Sequence, residues 1–447
     1  GSLKFMVDTN SRISLSNNDS GTDNTVFGAS SGNNLASGGN NNTFFGDHAG
    51  HSNTTGDDNT YIGKSAGQAN SGTGDNNTFV GSHSGYLLTG GSNNTGVGRS
   101  SLVAVTTGSS NVAVGAYAGD AINTGAGNVI LGVLAGTAMT TAGDNVSIGY
   151  ASLQTADGGE HENVAIGTGA GNLINNDASS DNVLVGHLAG KGGTGEIDRC
   201  VAIGHQAMDG TGSLGGTQNI FIGNDAGGGT WTTAASNSNV AIGATAMSSA
   251  LNGALGNTAL GHDTLKALTS GDNNVAVGSG AGDALTTGYS NVLIGKDVLG
   301  VADGGEQNNV VIGFNAGSAI NHNSTAANVI IGSHAGVGGT GYISRNVIIG
   351  DDALVDLNSR NSIYNTIVGS EAGGGTWAGD GTENTVLGYQ AFKGAVNGAN
   401  YNTILGSQAG KSITTGDNTV AVGKNALFAV TTGGNNTSLG SQAGERI

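Results

Sequence analysis

Several short runs in this 447-residue chain carry residue types that do chemistry in other proteins. Gly28-Ala29-Ser30-Ser31-Gly32 and Gly63-Lys64-Ser65-Ala66-Gly67 match Gly-x-Ser-x-Gly, the pattern that lifts a serine nucleophile onto a tight turn. Such a serine also needs a positioned histidine and acid. Ser30 and Ser65 both fall at a variable position, second after a recurring glycine, where other copies carry His48, Gln206 or Asp352. Gly190-x-Gly192-x-x-Gly195 and Gly336-x-Gly338-x-x-Gly341 match the dinucleotide fingerprint. Each leads toward a strand rather than a helix, so the phosphate cradle is missing. Gly410-Lys411-Ser412 lacks the full phosphate-loop spacing, with Leu405 where the first glycine belongs. With 85 glycines, such matches arise by chance.

Loops rich in Asp and Asn raise the question of calcium. Gly192-Gly193-Thr194-Gly195-Glu196-Ile197 fails the calcium-binding nonapeptide pattern at its Asp. Turn formation accounts for these loops, so neither metal nor cofactor is expected. The nine histidines show no paired ligand spacing. Cys200 is the only cysteine, which excludes an intrachain disulfide, and it sits in a slot that is Asn in all but one of the other units. That placement predicts a buried neutral side chain rather than a reactive thiol. Trp231 and Trp377 are the only tryptophans and lie in equivalent loops. Either each is exposed and offers a stacking face to a host glycan, or each covers the edge of its own turn, which is the plainer reading.

These residues hang on a repeat that dominates the chain. The unit reads Asn–(Thr/Val)–x–(Ile/Val/Leu)–Gly–x–x–(Ala/Ser), followed by a polar, Gly-rich stretch, as in Asn163-Val164-Ala165-Ile166-Gly167. It occurs in 24 copies from Gly28 to Gly440, at steps of 17 to 20 residues. A unit this short cannot bury an apolar face alone and must stack on its neighbours. The fold predicted is all-β: a parallel β-solenoid, or β-roll, of about 24 rungs. Residues 1–20 form a lead-in and 21–447 the array. A longer period of 146 residues, eight units, links Ala156–Gly167 with Ala302–Gly313 and Gly192–Gly204 with Gly338–Gly350. It reads as duplication of an eight-unit block.

The four residues before each glycine make the strand. The second is β-branched throughout, and the fourth is aliphatic except at Phe27 and Phe45. Side chains two apart share a face, and these two positions are read as the interior. The third, mostly apolar as in Ile130, Leu184 and Phe221, is then read as outward. A strand apolar on both faces is usually covered on both, which predicts a homo-oligomer, a trimer, packed on the third position. The first position is Asn in all but two units, where Cys200 and Thr419 replace it. Asn163, Asn182, Asn239, Asn274 and Asn291 either form a hydrogen-bonded ladder up the stack or serve a turn. Both readings stay open.

Composition narrows the function classes. The chain has no proline, 4% aromatic and 10% charged residues, yet 36% hydrophobic residues, mostly small or β-branched. That suits a thin core rather than a disordered tail. A formal net charge of −18 with 14 scattered basic residues argues against a nucleic-acid partner. No apolar run approaches membrane-spanning length, so no membrane insertion is expected. No signal peptide is visible. The chain opens Gly1-Ser2 without Met and stops at Ile447 just after a repeat, which reads as a piece of a longer protein.

Asn239-Val240-Ala241-Ile242-Gly243, with Ala246 following, resembles the head repeat of trimeric autotransporter adhesins. That resemblance implies a left-handed parallel β-roll in a trimer. Asn402-Thr403-Ile404-Leu405-Gly406, with Ala409-Gly410, is similar to arrays in phage tail-fibre and related virion proteins. The likeness covers about residues 21–447. The units here are longer than adhesin head repeats, with no visible coiled-coil stalk or membrane anchor. The segment Lys4-Phe5-Met6-Val7-Asp8 through Arg12-Ile13-Ser14-Leu15 looks more like a fibre lead-in. Ile331-Gly332-Ser333-His334-Ala335-Gly336 resembles the hexapeptide of left-handed β-helix acyltransferases, but steps of 17 and 19 break that sixfold register. The function expected is a structural virion fibre segment without enzymatic activity, a rigid spacer that can also contact a host-surface glycan or protein. The alternatives are the head of a bacterial trimeric surface adhesin and, as a lesser one, a β-helix enzyme. The location expected is the virion or the cell surface.

Overall fold

A computed structural model describes residues 11–14 (backbone only), 21–68, 72–355 and 360–445. The rest of the lead-in lies outside the described residues. The chain divides into two compact units, Gly1–Asn219 and Ile220–Ile447. Each is a parallel β-solenoid, and the described residues contain strands and turns but no helix. Unit one stacks eleven motif strands, from Thr25–Ala29 to Val201–Ile203. Unit two stacks thirteen, from Ile220–Ile222 to Thr437–Leu439. Strand Ser11–Ser14 pairs antiparallel with Thr25–Ala29, Ser11 opposite Ala29, and is the one antiparallel partner among the described strands.

Register is strict. Val164, Ala165 and Ile166 lie beside Val183, Leu184 and Val185, so each motif position stacks on its own kind. Parallel strands need a long return connection, and here the remainder of each turn supplies it. Hydrogen bonds between turns continue around the corner. His48 N–H donates to Ala29 C=O at 2.8 Å, and Gly50 N–H donates to Ala66 C=O at 2.9 Å. The motif glycine marks that corner. Gly115 has φ +141°, and a Cβ there would lie 2.5 Å from the carbonyl oxygen of Gly132 one turn on. Only glycine fits such a backbone contact.

The facing of the strand is the reverse of that read from the sequence. The third position is the interior one: Ile130, Leu184, Phe221 and Ile330 are fully or almost fully buried. Positions two and four point outward, with Val164 half-buried and Ile166 exposed. The reason lies in volume. An interior must be filled to constant density, and the third position varies from Gly96 to Phe79 because a second interior position compensates.

That second position is the fourth residue after the motif glycine, held in the left-handed region. Where the strand centre is aromatic, the turn residue is Gly: Phe44 with Gly50, Tyr61 with Gly67, Phe79 with Gly85, Phe221 with Gly227. The aliphatic centres Leu293, Ile348 and Val386 instead share the core with Leu299, Leu354 and Phe392. A Cβ at Gly67 would lie 2.6 Å from Tyr61 ring atoms. In several turns with a small centre a large side chain takes the turn position, as in Gly96 with Leu102, Ser147 with Leu153 and Ala241 with Met247, whereas Ala113, Ala165 and Ala276 keep Gly there. Leu102, Leu153 and Met247 accept φ of 49°, 42° and 49°, a region costly for such residues. Filling the core offsets that strain.

Asn forms a buried column in each unit. Asn182 N–H and Nδ2–H donate to Asn163 Oδ1 at 3.2 and 2.9 Å, and Nδ2 also donates to Ile197 C=O at 2.8 Å. In unit two, Asn257 donates to Asn239 Oδ1, Asn274 to Asn257 Oδ1 and Asn291 to Asn274 Oδ1, each Nδ2 contact at 3.0 Å. The left-handed residue is the one before each Asn, such as Glu162 before Asn163 and Ser290 before Asn291, not the Asn itself. Desolvated amides are costly unless paired, and this column pairs them turn by turn.

Candidate functional site

Ser30 and Ser65 sit at positive φ, 52° and 58°, at the second corner position, as do His48, Gln206 and Asp352. Their Gly-x-Ser-x-Gly pattern is therefore the repeat's own turn. Ser–His neighbours do come together elsewhere: Ser82 Oγ lies 2.8 Å from His83 Nδ1, and Ser333 Oγ 3.1 Å from His334 Nδ1. A nucleophile–base–acid relay uses opposite nitrogens of the imidazole. At His334 the acid, Asp352, also faces Nδ1, at 3.8 Å. Nε2 points to the Asn315 amide nitrogen at 3.4 Å. This arrangement does not relay a proton from serine to carboxylate.

His334 and Asp352 line an open groove of about 610 Å³ in unit two, with Val337, Val355, Glu371 and Lys393. Lys393 pairs with Glu371 and holds its carboxyl below the usual range. Gln390 Nε2 donates to the same carboxylate at 3.1 Å. Among the described residues that line the groove, two carboxylates face one lysine and one histidine, and no buried side-chain polar atom lacks a partner. His334, Asp351 and Asp352 bring one donor atom each within 4.8 Å of one another, but Asp351 is exposed and the others half-buried.

Both tryptophans are buried. Trp377 is 0% exposed, donates from Nε1 to Gly373 C=O at 3.0 Å and meets Phe392 edge-on at 6.5 Å. Trp231 is 4% exposed. Neither offers an open ring face to a sugar. A Cβ at Gly381 would lie 2.0 Å from Trp377 Cζ3, so the indole packs against the backbone of its own turn four residues on.

Cys200 fills its Asn slot. Its N–H donates to Asn182 Oδ1 at 2.9 Å and its thiol donates to Gly216 C=O at 3.2 Å. Burial pushes the thiol up to about 11. The Gly192–Ile197 loop holds no ligand set; Ile197 instead pairs with Gly216.

The recurring surface feature is apolar. Position four is exposed along unit one at Phe27, Phe45, Ile62, Val114, Leu131 and Ile166. It is exposed in unit two at Ile242, Leu260, Ile294 and Leu387. Phe27 and Phe45 stack with centroids 4.9 Å apart. Scattered surface apolar groups are ordinary, whereas these recur at the same place in successive turns. The sequence carried a signal of this facing: positions two and four vary little in size, whereas position three runs from Gly96 to Phe79. Among the described residues no helix is long and apolar enough to cross a membrane.

Compared with known proteins, the chain matches no family model and no curated protein.

Proposed function

We propose that this chain is a non-enzymatic structural segment of a virion fibre of the phage tail-fibre type. It acts as a rigid spacer and presents its variable loops to a host-surface glycan or protein. It works as a homotrimer packed on strand positions two and four. The observation that carries this reading is the apolar stripe at position four, repeated turn after turn in each unit. Water-exposed aliphatic side chains aligned over many turns gain most when covered. A copy of the same chain matches their spacing along the stripe of each unit, because its turns repeat alike. The Ser–His geometry at His334 supports a role without catalysis.

Two measurements test the reading. Sedimentation of the purified chain is expected to give the mass of three chains; the mass of one chain overturns the trimer. Immunogold labelling with antibodies against the chain is expected to decorate virion appendages. Labelling confined to a bacterial envelope would instead favour the adhesin head, the role suggested by the likeness of Asn239–Gly243 to adhesin repeats.

A further inference from the structure

Three carboxylates converge between two successive turns of unit one. Asp157 and Glu160 come from the loop before strand Val164–Ile166, and Asp177 from the loop before Val183–Val185. One oxygen from each lies within 4.8 Å of the others. Asp157 and Asp177 are exposed, whereas Glu160 is 0% exposed. Gly158 N–H donates to Glu160 Oε2 at 2.9 Å and Gly159 N–H to Asp177 Oδ1 at 3.1 Å. The Asn175 amide, turned so that its nitrogen faces Asp157, donates to Asp157 Oδ1 at 2.8 Å. That leaves Glu160 Oε1, which is buried and has no hydrogen-bond partner. A buried, unpaired carboxylate oxygen is costly, and placing it beside two more carboxylates adds to the cost.

The same unpaired oxygen occurs a second time. The 146-residue duplication puts Asp303, Glu306 and Asn323 where Asp157, Glu160 and Asp177 stand. Glu306 is likewise 0% exposed, with Oε1 buried and unpartnered, and Gly304 N–H donates to its Oε2 at 3.2 Å. The glycines keep both loops in close approach to the following turn. A Cβ at Gly158 would lie 2.8 Å from Asp177 Oδ1, and one at Gly304 2.0 Å from Asn323 Oδ1.

We infer that Asp157, Glu160 and Asp177 bind a calcium ion, and that Asp303, Glu306 and Asn323 form a second, weaker calcium site. All the donors are hard oxygens. The oxygens of Asp157, Glu160 and Asp177, within 4.8 Å of one another, can share one ion at the usual calcium–oxygen distance of about 2.3–2.6 Å. Zinc prefers nitrogen and sulfur, and magnesium demands stricter octahedral geometry. The second site is weaker because an amide oxygen replaces a carboxylate. Each ion would tie the loop of one turn to the loop of the next. The inference is independent of the fibre reading, since it rests on loops away from the apolar stripe.

The test is calorimetric titration of the whole, chelator-treated chain with calcium chloride, with terbium luminescence lifetimes as a second readout. Two calcium ions per chain are expected, with unequal affinities. Glu160→Gln should abolish the tighter event and Glu306→Gln the weaker one. Asp177→Asn, at an exposed position, should weaken the tighter site at least tenfold and leave the fold intact. It therefore decides the matter even where a glutamate variant does not fold. Absence of saturable binding, or binding unmoved by Asp177→Asn and Glu306→Gln, overturns the inference.

Discussion

The ring of Phe79 occupies the space that a side chain on Gly85 would need: a Cβ there would lie 2.3 Å from Phe79 Cε2. In the next turn the sizes are exchanged, with Gly96 at the strand centre and Leu102 at the turn. Phe79→Gly should therefore open a cavity costing at least as much as a Phe→Ala change, about 3–5 kcal/mol, and Gly85→Leu alone should overpack the turn. Phe79→Gly combined with Gly85→Leu copies the neighbouring arrangement and should cost less than the sum of its parts. A double-mutant cycle read by hydrogen exchange at Thr78–Val80 should show a favourable coupling of about 1–3 kcal/mol. Additive effects would refute the compensation.

Asn274 Oδ1 accepts from Asn291 N–H at 3.1 Å and from its Nδ2 at 3.0 Å, while its own Nδ2 donates to Gly288 C=O at 2.8 Å. Asn274→Leu strands these buried groups and should destabilise the neighbouring turns by about 1–3 kcal/mol for each group left unpaired. Cys200→Asn completes the column in unit one and should stabilise it by about 1 kcal/mol. Chemical denaturation of each variant against the parent chain checks both signs.

With its thiol pushed up to about 11 by burial, Cys200 is protonated at pH 8. A disulfide reagent should leave the folded chain unlabelled over hours and label it once after unfolding. Rapid labelling of the native protein would mean that this slot opens to solvent.

Burial and the nearby negative charge of Asp297 raise the Asp283 carboxyl above its ordinary value of 3.8. The folded state then holds this proton more tightly than the unfolded chain does. The group's penalty is absent below pH 3.8 and grows as pH rises through the raised value. Asp283→Asn should gain stability at pH 7 and gain nothing at pH 3. Thermal midpoints of both proteins across that range decide it, and an equal gain at both ends would discount the charge.

Lysine at Leu131 and Ile166, both exposed at position four, should dissociate the proposed trimer and leave circular dichroism unchanged. Loss of the β signal instead would place these side chains inside a single chain's fold.

The sequence made the turn length and the strand legible because each recurs at a fixed place, and it showed the recurring Asn without deciding between a ladder and a turn. It did not reveal which strand face is inside. A period of two separates Val164 and Ile166 from Ala165 but does not say which set is buried when both are apolar. The deciding clue was reciprocal size, Phe79 against Gly85 and Leu102 against Gly96, which spans six residues and belongs to no strand pattern. The trio of Asp157, Glu160 and Asp177 escaped for another reason: its members come from two turns, and only stacking brings them together. Retention of Asp-Gly-Gly-Glu at 157–160 and 303–306 was the available hint.

Because Val164 always lies beside Val183 and never one residue off, a turn is a unit of phase as well as of packing. Recombination that adds or deletes whole turns returns each Asn and each motif glycine to an equivalent neighbour. A cut of half a turn would set apolar side chains against polar ones along the new junction. The 146-residue duplication is a whole-turn event of the first kind. Such a gene can change the number of turns in its product in single genetic steps, with selection acting on turn number while the chemistry of each turn stays untouched.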